Sequence, residues 1–582
     1  MDALAGGSDG YVKNPDTGAV FGGRDRQQLR GQLLWLPNAD VDVRLIADYL
    51  HHEGTINGPV YRVVGPTGAI IAALSSPILP SDRARYVTQI DGEASRAEEN
   101  EVAGFTGDLR WRTVLGEITA IAAYRSADAA RSYDVDNSPA DIANDPRDGE
   151  TFDTYTLEMR LQGEAGRLDY LFGMFLGRES IASRDNFEVG SDFDSYADAL
   201  AGGNVPAFTG LAAGDNFPLG TGVLDIFRQR SDSFALFTHH IFALSDRVSL
   251  TLGGRYTNEE KRLSANITSN NPACSAAIDN FGPDLAGVPG ALQGILCIPN
   301  LDPRYDGVYR DRREDGNASG TAAITGRLSE TFSAYAQYSR GFKGGGYQLD
   351  RSGMNALLPA LSQVSFGPET ANSFEAGLRG LSTDGVWRFA TSLFHTAFDN
   401  YQFSYFTGLN RRTQNVPDLV TQGFEIETGV RPIPAFELTL ATAYQEVQFG
   451  DSGFPAGLTQ LQGSAPPLAP RWVVVGTASY THELTNMGLT LFGDVDMRWQ
   501  SRSNVGGSAT PSPSFTQNAY ALVGARLGVK ALDSGWMLEA WGRNLFDTTA
   551  WSILNSTTLQ PGSISGYVTD PQTLGVSATV SW

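Results

Sequence analysis

The chain has 582 residues, with 43 basic side chains against 65 acidic ones and a formal charge of −22. That balance excludes a nucleic-acid binder, whose phosphates demand a cationic footprint. The longest apolar run, Gly68 to Leu74, is far shorter than the ~20 residues of a membrane helix, which excludes a helical membrane protein.

One soluble core stops growing near ~250–300 residues. No composition shift or linker divides this chain, so one large closed sheet accounts for its length better than a string of domains. Glycine supplies 65 residues, well above the usual share, and clusters with Pro, Asn, Asp and Ser between short apolar runs. No basic segment leading into an apolar stretch opens the chain, so no secretion signal is read in it.

In chain order, short turns are expected near Pro37–Asp40, Thr113–Gly116, Glu164–Arg167, Ser245–Arg247, Ser329–Thr331, Ser382–Gly385, Pro432–Pro434, Thr485–Gly488 and Asp533–Gly535. Each interval holds two strands and one long loop rich in Gly, Asp, Asn and Pro. The strands carry a period-two pattern. Tyr155, Leu157, Met159 and Leu161 oppose Thr156, Glu158, Arg160 and Gln162, and Val248, Leu250, Leu252 and Tyr256 oppose Ser249, Thr251, Arg255 and Thr257. From Leu489 to Gln500 the odd positions Leu489, Leu491, Val495, Met497 and Trp499 face away from Thr490, Asp494, Asp496, Arg498 and Gln500.

Alternation alone fits a soluble sandwich as well as a membrane barrel. Strand length and loop asymmetry separate the two. Sandwich strands run ~5–6 residues, whereas these alternating runs are about twice that, with tight turns at one end and long loops at the other. Nine turns flank eighteen strands, the segment near Gly566–Trp582 adds one, and a remnant precedes the loop at Asp9–Gly18. The expectation is an all-β transmembrane antiparallel β-barrel of roughly twenty strands. It closes on the apolar stripe Leu574, Val576, Ala578, Val580 and Trp582.

The chain resembles the TonB-dependent outer-membrane receptors. The likeness rests on Asp9-Gly10-Tyr11-Val12-Lys13-Asn14 with Thr17-Gly18, on Arg30 through Trp35-Leu36-Pro37, and on Ser339-Arg340-Gly341-Phe342-Lys343-Gly344-Gly345-Gly346-Tyr347. It continues through Asn372-Ser373-Phe374-Glu375-Ala376-Gly377-Leu378, Gln422-Gly423-Phe424-Glu425-Ile426-Glu427 and Gly542-Arg543-Asn544-Leu545-Phe546-Asp547, in family order. The resemblance implies a 22-stranded barrel in the outer membrane of a Gram-negative bacterium, filled by an amino-terminal plug whose box engages TonB. It also implies uptake of a scarce solute, first of all a ferric siderophore, then cobalamin-like compounds or glycans. Residues 1–27 read as the remnant of an early strand with its extracellular loop and 28–582 as the barrel, with plug, TonB box and first two strands expected to be absent. A passive porin, or a non-functional fragment, is the rival reading, and an outer-membrane hydrolase a third.

Enzyme signatures are weak. Gly6-Gly7-Ser8-Asp9-Gly10 has the spacing of a nucleophile elbow without its strand and helix, and reads as turn chemistry. Gly344–Gly346 lacks the Lys-Ser/Thr of a phosphate loop and suits a close backbone approach. His51/His52 and His239/His240 are strand neighbours pointing to opposite faces, so no metal site is read there, and no cofactor is expected. The acidic runs Asp134–Glu150 and Asp192–Asp198 read as solvated charge, because the first has Pro139 and Asp145 where an EF-hand needs Gly and Glu. Glu425, Glu427, Asp494 and Asp496 are expected to face a wet lumen or a plug.

The best ligand candidates are Tyr401, Phe403, Tyr405 and Phe406 with Arg411 and Arg412, midway between two turns and hence at the outer rim. Aromatic faces with guanidinium forks suit planar anionic chelates, although the same aromatics could form a girdle at the lipid headgroups. Arg310, Arg312 and Arg313 are interleaved with Asp311, Glu314 and Asp315 and read as mutually paired. Cys274 and Cys297 share one Gly/Pro/Asn-rich stretch, a spacing that suits one loop-closing disulfide in an oxidising compartment, two free thiols being the alternative. The expected partners are the TonB complex acting through a plug, outer-membrane lipid and a small-molecule ligand.

Overall fold

The computed structural model describes residues 1–81, 85–91, 96–509, 512–532 and 535–581. Twenty strands form one sheet. They are β1 (Asp2–Ser8), β2 (Arg24–Asn38), β3 (Val41–Thr55), β4 (Ala97–Thr113), β5 (Gly116–Asp134), β6 (Ala143–Ala165) and β7 (Leu168–Val189). Next come β8 (Gly222–Ala243), β9 (Val248–Asn270), β10 (Gly307–Arg327), β11 (Phe332–Lys343), β12 (Glu369–Leu381), β13 (Trp387–Phe406) and β14 (Arg411–Ile433). The last six are β15 (Phe436–Phe449), β16 (Trp472–Leu484), β17 (Leu489–Gln500), β18 (Tyr520–Ala531), β19 (Trp536–Arg543) and β20 (Thr573–Val580). Each pairs antiparallel with the next in chain order, β1 to β20. The expected fold class and strand number are borne out.

The wall has an inverted polarity. Its most exposed large apolar side chains share one face: Phe105, Leu109 and Trp111 on β4, Phe172 and Leu176 on β7, Val495 and Met497 on β17, and Leu574, Val576 and Val580 on β20. Water would not tolerate that continuous band; hydrocarbon does. The opposite face is polar. Arg526 Nε donates to Asp494 Oδ2 at 2.8 Å, Arg431 Nη2 to Glu437 Oε2 at 2.7 Å, and the Arg379 guanidinium lies 5.2 Å from the Tyr335 ring. The longest strands reach 23 residues. At ~3.3 Å per residue and a ~40° tilt they outrun a ~25 Å apolar band, so their upper ends stand above the membrane beside the long loops.

The buried core lies in those loops and not in the wall. Tyr61, Ile71, Ile142, Phe193, Tyr196, Phe217, Leu285, Leu296 and Leu301 cluster from four loops and the strand ends beneath them. Helices α1 (Gly68–Leu74), α2 (Phe193–Leu200), α3 (Val205–Thr209), α4 (Pro272–Phe281) and α5 (Gly290–Leu296) build it. Helix α4 starts where Asn271 accepts the Cys274 N–H at 3.1 Å and Pro272 presets the first turn. Cys274 and Cys297 are bonded, tying α4 to the end of α5.

Three expectations need correction. Residues Ile564–Val568 are not part of the closing strand; they pair with Trp551–Ser556 and Val60–Val63 in a loop sheet, and β20 begins at Thr573. The acidic runs are not solvated. Asp134 and Asp136 are buried, Asp136 Oδ1 accepting from Ala143 N at 3.0 Å, while Asp194 accepts from Gly214 and Phe217 N–H groups at 2.9 Å. These carboxylates satisfy loop backbone that would otherwise be orphaned. The Arg310–Asp315 run pairs only in part, because alternation sends Arg313 inward to Asp315 (2.9 Å) and Arg310 outward. The turn at Asp533–Gly535 and the terminal Trp582 fall on or across residues outside those described.

Candidate functional site at the outer mouth

The loops interlock around the upper end of the wall. Tyr61 Oη donates to Gln560 Oε1 at 3.0 Å, Gln560 Nε2 donates to Asp136 O at 2.8 Å, and Tyr196 Oη donates to Leu559 O at 2.6 Å. Arg62 Nη1 reaches Thr516 O at 3.0 Å. Asn300 and Asn410 exchange amide hydrogen bonds of 3.1 and 2.8 Å, linking the disulfide-bearing loop to the β13–β14 tip. These contacts join positions up to 499 residues apart in sequence.

The sequence-predicted residues lie on that tip. Beyond Asn400, at φ 53°, the ladder skips the position opposite Pro417 and then resumes with Tyr401 opposite Val416. Tyr405 faces Arg412 and Phe406 faces Arg411 across the hairpin. Phe403 and Tyr405 stack with centroids 5.7 Å apart, and Phe403 meets Phe449 edge-on at 5.3 Å. Tyr401 lies 5.7 Å from Phe398, and Phe454 caps Phe449 at 5.9 Å. Phe403 is 5% exposed and Tyr405 8%, packed with Leu458, Leu461 and Ala509. They therefore form a packed platform rather than open faces. Tyr405 Oη donates to Gln414 Oε1 at 2.8 Å, and the Phe406 N–H donates to Gly507 O at 2.7 Å. Arg411 is exposed and Arg412 partly so; among the described residues no ion pair engages either.

A second device, silent in the sequence, holds the loop of residues 344–368 against the inner wall. Arg351, only 2% exposed, donates through Nε to Asp225 Oδ2 at 2.7 Å and through Nη2 to Thr268 O at 2.9 Å. Burial holds the neighbouring Asp350 carboxyl above its ordinary range. Gly345 is needed at the start of this loop, since a Cβ would sit 2.5 Å from the Phe366 carbonyl oxygen. Above the wall, burial and then the adjacent Asp134 hold the Asp136 carboxyl well above the usual carboxylate range, and burial does the same to the Tyr61 hydroxyl. Below the mouth, the polar inner wall carries an open hollow of about 660 Å³ lined by Tyr335, Glu375, Arg379, Glu425 and Glu427.

For a metal, the described residues bring together one His/carboxylate group. His51, Glu99 and Glu101 place ligand atoms within 4.8 Å of one another on β3 and β4. Both carboxylates are exposed and Glu101 already accepts from Tyr49 Oη at 3.0 Å, so the arrangement reads as surface pairing.

Comparison with known proteins agrees with this geometry. Residues 9–545 match the family model for the TonB dependent receptor-like beta-barrel. The fold is similar to that of the ferric yersiniabactin uptake receptor FyuA of Yersinia pestis, with a TM-score of 0.74 and 14% identity over 99% of this chain and 74% of that one. It is also similar to the siderophore receptor PiuA of Acinetobacter baumannii (TM-score 0.68, 12% identity, 99% of this chain and 76% of that one). The copper transporter OprC gives 0.61 at 13% identity over 100% of this chain and 75% of that one. The chain belongs to the TonB-dependent receptor family of the Gram-negative outer membrane, whose β-barrel its residues 9–545 supply.

Proposed function

We propose that this receptor captures a ferric siderophore at its outer mouth and passes it through the barrel, driven by the TonB complex through a plug that the described residues do not form. The observation that carries the reading is the β13–β14 tip, where Arg411 and Arg412, engaged by no ion pair among the described residues, stand opposite Phe406 and Tyr405 above a polar-walled hollow. Guanidinium forks bind the catecholate or carboxylate arms of a chelate, and aromatic faces cover its planar parts. Phe403 and Tyr405 support the tip from below in this conformation and contact ligand only once residues 450–464 swing aside. The fold shared with FyuA and PiuA supports an iron chelate, while the likeness to OprC favours a bare metal ion as the second reading. A passive channel fits poorly with a mouth crossed by interlocked loops.

The test is uptake of radiolabelled ferric siderophores by a host lacking its own receptors, with and without TonB. Arg411→Ala/Arg412→Ala is expected to weaken binding by about ten- to a hundredfold, as loss of one or two charge-assisted contacts does. TonB-independent uptake would refute the transport reading, and unchanged affinity in the variant would refute the site.

A further inference from the structure

The loop of residues 344–368 is folded into the mouth and seated on the inner face of β8 and β9, where Met354, Leu361 and Val364 cluster with Phe227, Leu263 and Ile267. The wall fixes its stem. Lys261 Nζ donates to Gly345 O at 2.8 Å, Arg313 Nη1 to Phe366 O at 2.6 Å, and Gln402 Nε2 to Gly344 O at 2.9 Å. The same loop grips the candidate tip. Gln348 Nε2 donates to Thr413 O at 2.7 Å and the Gly367 N–H to Asn415 Oδ1 at 2.6 Å, both beside Arg411 and Arg412 on β14.

The middle of the loop is held by a cluster of unequal charge. Arg351 meets four carboxylates: it is paired with Asp225, lies 3.8 Å from Asp306, and shares its surroundings with Asp185 and with its own neighbour Asp350. Asp185 on β7 stands directly opposite Asp225 on β8, where two ionised carboxylates repel. No hydrogen bond or ion pair engages Asp185 among the described residues. Asp350 Oδ1 accepts the Ser352 N–H at 2.5 Å. From β5 and β6 the cluster is faced by Tyr133, by Asp145 with its buried, unpartnered Oδ1, and by Asp148, which Arg131 engages at 2.6 Å. The disulfide-bearing loop adds the hydroxyls of Tyr305 and Tyr309 and Arg304, which is spent on Asp302 at 2.6 Å. Neither Arg131 nor Arg304 is free to neutralise Asp185 or Asp350.

Asp185 lies nine positions above the lipid-facing Leu176, ~30 Å along the strand and ~23 Å along the membrane normal once tilted, so the cluster titrates with the outer medium. Burial, and then the carboxylates of Asp350, Asp225 and Asp148, push the Asp185 carboxyl up to about 7, and burial raises that of Asp350. Both folded-state values stand above the unfolded one near ~4. Their contribution is therefore complete below that value and is lost as pH rises through the folded one. We propose that the 344–368 loop is a proton-operated latch on the mouth: protonated Asp185 and Asp350 let Arg351 seat the loop on Asp225, and their ionisation releases the Arg351 arm from the inner wall and loosens its hold on β14. The latch is independent of the solute carried.

Hydrogen–deuterium exchange of the full chain in detergent tests it, read as protection factors corrected for the intrinsic exchange rate at each pH. The segment 348–363 contains the amides of Gln348, bonded to Val364 O at 2.8 Å, and Met354, bonded to Arg351 O at 3.0 Å. Its protection is expected to fall at least about tenfold from pH 5 to pH 8, since one unit of pKa difference is about a factor of ten in the opening equilibrium. Asp185→Asn/Asp350→Asn is expected to keep the pH 5 protection at pH 8, while β16 peptides keep theirs in both proteins. Folding of the variant is checked by its heat-dependent electrophoretic shift; should the double variant not fold, Asp185→Asn alone carries the comparison, with a reduced fall expected. Protection of 348–363 that stays constant or rises with pH in the native chain would overturn the proposal, as would an undiminished fall in the folded variant. Uptake enters neither readout, so a failure of the transport reading and a failure of the latch are separate results.

Discussion

The barrel wall and the loop body above it solve opposite problems with the same chain. Across the apolar band the wall turns its apolar side chains outward and its charges inward, so its stability comes from backbone ladders and from lipid. The loop body is built like a soluble domain, with a buried apolar cluster, a buried ion pair and a disulfide. Damage to one should therefore leave the other standing.

The largest effect is expected at Arg351. Arg351→Ala strands the buried Asp225 carboxylate and should cost the 344–368 loop about 3–5 kcal/mol, most of it recovered in Arg351→Ala/Asp225→Ala. Limited proteolysis should show cleavage within 344–368 while the heat-dependent gel shift of the barrel stays intact; loss of that shift would break the comparison.

Reducing the Cys274–Cys297 bond should cost about 3 kcal/mol in the chain-entropy picture, confined to the α4–α5 loop. Mass spectrometry without reductant should find the two peptides joined, and free alkylation of both thiols would remove the claim. In the wall, Val495→Arg should cost about 2–4 kcal/mol in a bilayer folding assay, as a charge on the lipid face near the midplane does. Asp494→Asn, on the inner face, should cost below about 1 kcal/mol because only a solvated pair with Arg526 is weakened.

The smallest effect is a pH dependence of the loop body. Asp136 has its folded-state pKa raised by burial and by Asp134, so its contribution is complete below the unfolded value near ~4 and is lost as pH rises through the folded value. Thermal melting of the loops should weaken from pH 5 to pH 8 in the native chain and weaken less in Asp136→Asn, where the buried Asp134 still titrates. A loop body that instead strengthens as pH rises would contradict the buried assignment.

The two regions also differ in how far they could be read from sequence. The wall was legible because period two is local: Val495 and Asp494 declare their faces through their own neighbours, and β17 pairs as that pattern requires. The loop body was not, since its contacts join residues such as Tyr61 and Gln560 that share no pattern. Asp134 and Asp136 looked like solvated charge because a run of acids carries no sign of the backbone N–H groups it will cap. The aromatic tip was found by composition and position, yet packing of Phe403 and Tyr405 beneath residues 450–464 depends on a loop two strands away. Arg351 gave no signal at all; one arginine in a polar loop reads the same whether it is solvated or locked to Asp225.

Spin labels placed one at a time at residues 493 to 498 of β17 in a lipid bilayer test the wall most directly. Accessibility to oxygen should peak at 495 and 497, and accessibility to a water-soluble nickel chelate at 494, 496 and 498, alternating in antiphase. A profile without that alternation, or one with residues 494 and 496 in lipid, would contradict the account.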